Sequence, residues 1–187
     1  MLWANMQRGS RGKVSGVLAL LTISCSSPEN APDPTSIYRA ALAEVLSSIE
    51  DTVPIALEWV TQSPPDEETH HYFRAIGAPS SLASAHADFN ETSIVIDTAV
   101  ARALGLEYWR PDSLTNPSTM YGVLTRAYNR YKYVVVLSQP VVSRRGKTAL
   151  VHYWIGCGGL CGNGYVSRLE FVNGSWTVVA DSMYVVS

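Results

Sequence analysis

The sequence predicts an α+β domain, with an antiparallel β-meander in the C-terminal third and N-terminal and central helices packed on one face. Three observations carry this. β-Branched and aromatic runs crowd into residues 132–186, and Asn173-Gly174 separates two of them as a strong hairpin turn signal. The preceding half carries apolar residues at helical spacing. The 187 residues, 47% hydrophobic and 16% charged, suffice for one core and are too apolar for a disordered polyampholyte.

Taken in order, Thr35 or Ser36 can cap a first helix whose apolar face is Ile37, Ala41, Leu42, Val45, Leu46 and Ile49. Pro54 stops it, and residues 55–60 read as a short strand ending at Ser63-Pro64-Pro65. A helical turn or two is expected over 67–75 and a further helix from Ser80 or Ser81 to Asn90. The β-branched run Ser93–Asp97 reads as a strand. Residues 99–116 are hard to place, because the helix formers of 99–104 follow a strand and end at Gly105. Pro117 and Ser118 can start a helix reaching Tyr131. Strands are expected at 132–138 (with Pro140 marking an edge or bulge), 148–155, 165–172 and 175–186. A two-residue turn at Asn173-Gly174 sets Val172 against Ser175 and Phe171 against Trp176. Leu169, Phe171, Trp176 and Val178 then share a core face, while Arg168, Glu170 and Thr177 take the other, mostly solvent, face.

The first 25 residues read as an address. Arg8, Arg11 and Lys13 make a basic n-region, and Val14–Ser24 is an eleven-residue apolar stretch, short for a membrane span and suited to secretion. Leu21-Thr22-Ile23-Ser24-Cys25 resembles a bacterial lipobox, although Thr22 stands where that motif prefers Leu. The resemblance implies lipidation of Cys25 and removal of residues 1–24. Residues 25–35, rich in Ser and Pro, read as a flexible tether to a single domain at 36–187. The expected location is the bacterial cell envelope, facing the periplasm or the outside, with membrane attachment through the lipid. Cleavage would leave 11 basic against 16 acidic residues. That balance argues against nucleic acid as a partner and against electrostatic membrane binding.

Cys157-Gly158-Gly159-Leu160-Cys161-Gly162-Asn163-Gly164 is the most distinctive octet. In an exported chain a disulfide between Cys157 and Cys161 is the first reading. A metal or redox module at the same pair is an alternative, although Cys-x3-Cys is not the usual redox spacing. Together with Ser138, Pro140, Gly146, Tyr165, Gly174 and Trp176, the octet resembles secreted bacterial proteins of unassigned function. That likeness spans residues 132–180, implies the hairpin and the disulfide, and transfers no catalytic residue.

The remaining chemistry is sparse. Glu67 and His71 lie four apart, half of a metal or acid–base site, with His70 adjacent. The bland reading is an acidic helix start after Pro64-Pro65. His86 and Asp88 diverge on a helix, so a dyad between them is not expected. His152 and Trp154 share a strand face, which is half-core if a helix covers it and the floor of a ligand groove if it is open. No nucleophile elbow, zinc-protease motif, phosphate loop or dinucleotide fingerprint occurs, and no cofactor is expected. The leading expectation is a non-enzymatic binding or structural module for an envelope protein or small ligand. The rival is an envelope hydrolase using His70, His71 or His152 with a carboxylate. An enzyme needs those histidines to converge in a pocket, whereas a binding module needs an exposed apolar patch.

Overall fold

A computed structural model describes residues 33–50, 53–58, 66–110, 127–158 and 161–185, with only the backbone of 66–70, 184 and 185. Residues 1–32, with Cys25 and most of the tether, lie outside the described residues, as do 59–65 and most of the helix expected to begin at Pro117. The elements are α1 (Pro34–Ser47), β1 (Ile55–Glu58), α2 (Asp66–Ala75), α3 (Ser80–Phe89), α4 (Thr98–Leu104), β2 (Glu107–Trp109), β3 (Tyr133–Leu137), β4 (Val141–Val142), β5 (Thr148–Gly156), β6 (Gly162–Val172) and β7 (Ser175–Val185). Among the described residues no helix is long and apolar enough to cross a membrane.

The class is α+β. The meander expected from sequence is β5-β6-β7, and the Asn173-Gly174 turn has positive φ at both positions, as a type I′ hairpin requires. Its register places Val172 opposite Ser175, Phe171 opposite Trp176 and Leu169 opposite Val178. Two features differ from the sequence expectation. First, β3 extends the sheet and β1 joins it in parallel, with β2 parallel on the far side of β1, so the sheet is mixed and runs β2-β1-β3-β5-β6-β7. Parallel pairs need long crossovers, here supplied by residues 59–106 and 110–132, and leave no local turn signature.

Second, helices cover both faces of the sheet, not one. Ala149, Val151, Tyr153 and Ile155 of β5 point to a core shared with α1 and α4, where Ile37, Leu42 and Ala101 are buried. Leu150, one residue out of phase, packs with Phe73 of α2 and Leu82 and Ala83 of α3. Farther along this second face, Trp154 joins Ala56, Tyr131, Val134 and Val136. The physical reason lies in β5 itself: Ala-Leu-Val-His-Tyr-Trp-Ile is nearly apolar on both sides and must be buried twice. Arg168, assigned to a solvent face, accordingly turns its guanidinium to the second layer and donates to the Gly77 carbonyl at 2.6 Å. Phe171, expected on the core face, is 43% exposed beside the Asn173-Gly174 turn, in a hairpin tip whose residues 170–175 are all exposed.

Local signals explain the helix ends. Asp33 caps α1 by accepting from the Thr35 amide at 3.0 Å, with Pro34 at the first turn, so the helix starts earlier than Thr35 or Ser36 would set it. Asp97 caps α4 through the Ala99 amide, and Gly105 (φ 72°) closes it with paired bonds from Gly105 and Leu106 back to Arg102 and Ala101. The run Ser93–Asp97 is not a strand. Only Val95 makes an isolated bridge, and Ile94 and Val95 face outward.

Candidate functional site

Among the described residues a dense polar cluster is built around the interruption at Ser138-Gln139-Pro140. Leu137 pairs with Tyr153 and Val141 with Leu150, so three residues on one strand face two on the other. This is a β-bulge at the position Pro140 marks. The displaced Gln139 amide donates to Asn90 Oδ1 at 2.6 Å, and Asn90 Nδ2 donates to the Gln139 carbonyl at 3.0 Å. Gln139 Nε2 reaches the carbonyls of Phe89 and Thr92. Ser138 Oγ accepts the His152 amide at 2.9 Å and lies 2.9 Å from His86 Nε2. The Ser138 carbonyl accepts the Tyr38 hydroxyl at 2.9 Å from the opposite layer.

A serine hydroxyl against an imidazole has the form of a nucleophile and its base. Its burial denies it that use: Ser138 is 0% and His86 1% exposed, and Phe73 packs edge-on against the His86 ring. The pair satisfies buried polar groups at a bulge. The partner of His86 is thus a residue 52 positions away in the chain.

The sequence candidates are scattered. His71 is exposed on α2 with its ring edge-on to Tyr72, while the side chains of Glu67 and His70 lie outside the described residues. His152 is buried under the second helical layer, and burial pushes its imidazole down to about 4. Trp154, half-buried on the same face, lies across the Gly156–Gly162 pair. A Cβ on either glycine would overlap the indole, so these two glycines seat a ring rather than bend the chain. Cys157 and Cys161 form the disulfide, with Cα atoms 5.2 Å apart and the Cys157 amide donating to the Cys161 carbonyl. Gly158, at φ 88°, makes the bend between them. Among the described residues no three His, Cys, Asp or Glu side chains gather as a metal site.

One open groove is apolar. A groove of about 510 Å³ runs between the start of α1, residues 94–97 and the bulge, lined chiefly by Ile37, Tyr38, Phe89, Val95, Pro140 and Val142. Three large apolar side chains that line it are exposed to solvent: Phe89 at 58%, Ile94 at 47% and Val95 at 62%. Its volume lies within the ~300–1,000 Å³ of small-molecule sites. Asp97 and Gln139 are its polar members, and none of His71, His86 and His152 lines it. Sequence reasoning missed this patch because Ile94-Val95-Ile96 reads as a buried strand. The one available signal was the flanking Asn90-Glu91-Thr92-Ser93, which is too polar to lead into a core strand. In comparisons with known proteins, no family model matches the chain and no curated protein matches it.

Proposed function

We propose that this protein is a non-enzymatic binding module of the bacterial cell envelope, anchored by a lipid on Cys25, whose groove beside the β-bulge takes a small apolar ligand. The observation that carries the reading is the contiguous exposed apolar patch of Phe89, Ile94 and Val95 on a groove of ligand size. Hydrolysis would need a nucleophile open to substrate, and the Ser138–His86 pair is sealed. The anchor rests on the basic n-region, the apolar run and the lipobox-like residues ending at Cys25.

Two measurements test the two halves. The environment-sensitive dye N-phenyl-1-naphthylamine should bind saturably, and Phe89→Ser with Val95→Ser should weaken it by about tenfold, the loss of ~1.4 kcal/mol of apolar contact. Equal binding by the variant refutes the groove. Intact-mass analysis of the membrane fraction should show a mature chain beginning at lipidated Cys25, and Cys25→Ser should abolish anchoring. A different mature N-terminus refutes the anchor.

A further inference from the structure

The groove beside the bulge includes polar side chains, and each of them is already engaged inside the fold. Tyr38 gives its hydroxyl to the Ser138 carbonyl. Gln139 donates through Nε2 to the carbonyls of Phe89 and Thr92, and its backbone exchanges two bonds with Asn90. Asp97 turns Oδ1 to the Ala99 amide at 2.8 Å, where it caps α4. What the walls offer a ligand is hydrocarbon, from half-buried Pro140 and Val142 and from exposed Pro34, Phe89, Ile94 and Val95. Such a surface selects apolar area and shape, and a ligand with polar atoms along its length would leave them unpaired. An aliphatic chain meets that condition.

Charge narrows the head such a chain can carry. No Lys, Arg or His lines the groove, and the Asp97 carboxylate stands exposed at it. The anionic head of a free fatty acid or an acidic phospholipid is repelled there, whereas a zwitterionic head is not.

The tether says where the chain comes from. It enters the domain at Asp33 and Pro34, and Pro34 is itself part of the groove wall. Residues 25–33, fully extended, reach at most about 30 Å. A lipid on Cys25 therefore keeps the rim of Phe89, Ile94 and Val95 close to the bilayer, whose interface stabilises exposed apolar side chains.

We infer that this groove takes the acyl chain of a zwitterionic phospholipid, drawn from the bilayer beside which the tether holds its rim. The assignment rests on the groove and the anchor just proposed, and names the ligand class and its source.

The probe is phosphatidylcholine. In solution, the full chain carrying Cys25→Ser, free of any lipid of its own, is loaded with N-phenyl-1-naphthylamine. Soluble dihexanoyl-phosphatidylcholine should displace the dye saturably, and the phosphatidylglycerol of the same chain length should compete about tenfold more weakly. Asp97→Asn, which keeps a capping side chain and loses the charge, should close that gap. In the second arm the lipid-anchored protein carrying Phe89→Trp is reconstituted into phosphatidylcholine vesicles brominated along their acyl chains. The added emission should be quenched severalfold more than that of Val179→Trp, an exposed site on β7 outside the groove. Dye binding without displacement by phosphatidylcholine would overturn the ligand class while leaving the groove standing, whereas no dye binding would remove the groove itself. Equal competition by phosphatidylglycerol would overturn the choice of head. Displacement in solution without quenching in vesicles would overturn the bilayer as source. Dye that enters the Cys25→Ser protein and not the lipidated one would make the protein's own anchor the occupant, and would overturn it too. If Cys25 carries no lipid, the source falls with the anchor, and the solution arm still decides the ligand class.

Discussion

Acid should unfold this protein through His152. In the unfolded chain an imidazole titrates near 6.5, whereas burial under α3 holds that of His152 at about 4. The unfolded state therefore binds a proton that the fold refuses, and stability must fall as pH falls. The contribution is whole above about pH 7.5, drains away from about 6.5 downwards, and stops changing below about 4, where both states are protonated. The difference between the two values converts to about 3 kcal/mol, of which about 2 kcal/mol is gone by pH 5. Urea titrations at neutral pH and at about pH 5 would measure this, run in parallel on His152→Gln, whose side chain does not titrate. Carboxylate effects are common to both proteins and cancel in the comparison. The native protein should lose about 2 kcal/mol more than the variant over that interval. Equal losses would mean that His152 takes up its proton inside the fold, and the burial argument would be wrong.

Gly156→Ala places a methyl against the Trp154 indole and the Tyr128 hydroxyl and should cost about 1–3 kcal/mol in urea denaturation, with Trp154→Leu recovering part of the loss in a double-mutant cycle. Strict additivity of the two changes would show that the ring does not rest on that glycine. Replacing Cys157 and Cys161 together by Ser should leave a folded protein about 1–2 kcal/mol less stable, because the closed loop is short. Failure of the double variant to fold would show that the bond sets the fold instead of securing a local bend.

What the sequence made legible was local chemistry. Asn173-Gly174 set the hairpin register from Val172–Ser175 to Leu169–Val178, because a two-residue I′ turn admits one pairing, but it could not show the irregularity between Arg168 and Leu169 that shifts the register beyond, nor that Phe171 stays exposed near the turn. Pro140 marked the bulge for the same reason: it has no amide to give a ladder. β1 was readable as a strand, but its parallel pairing was not, because β1 and β2 are four and three residues long and meet across some fifty positions. The second helical layer was readable in principle from the two-sided apolarity of β5. The amphipathic meander beside it drew the eye to a single core. Of the candidate site residues, the disulfide was legible because its flanking glycines are local. The Ser138–His86 pairing was not, since nothing in either neighbourhood names the other.

The bulge has a consequence for how the molecule comes apart. Ser138 is gripped from above by Tyr38 of α1, through its carbonyl, and from below by His86 of α3, through its hydroxyl. A sheet sandwiched by helices can ordinarily shed one layer while the other holds, giving two levels of amide protection. Here the release of either helix strips a partner from the same residue, and the release of α3 also takes away the anchor of Gln139 to Asn90, the residue that ends that helix. Native-state hydrogen exchange should then find the interior amides of α1, α3 and β5 opening at one common free energy, so that the two sides of the sheet are lost in a single event.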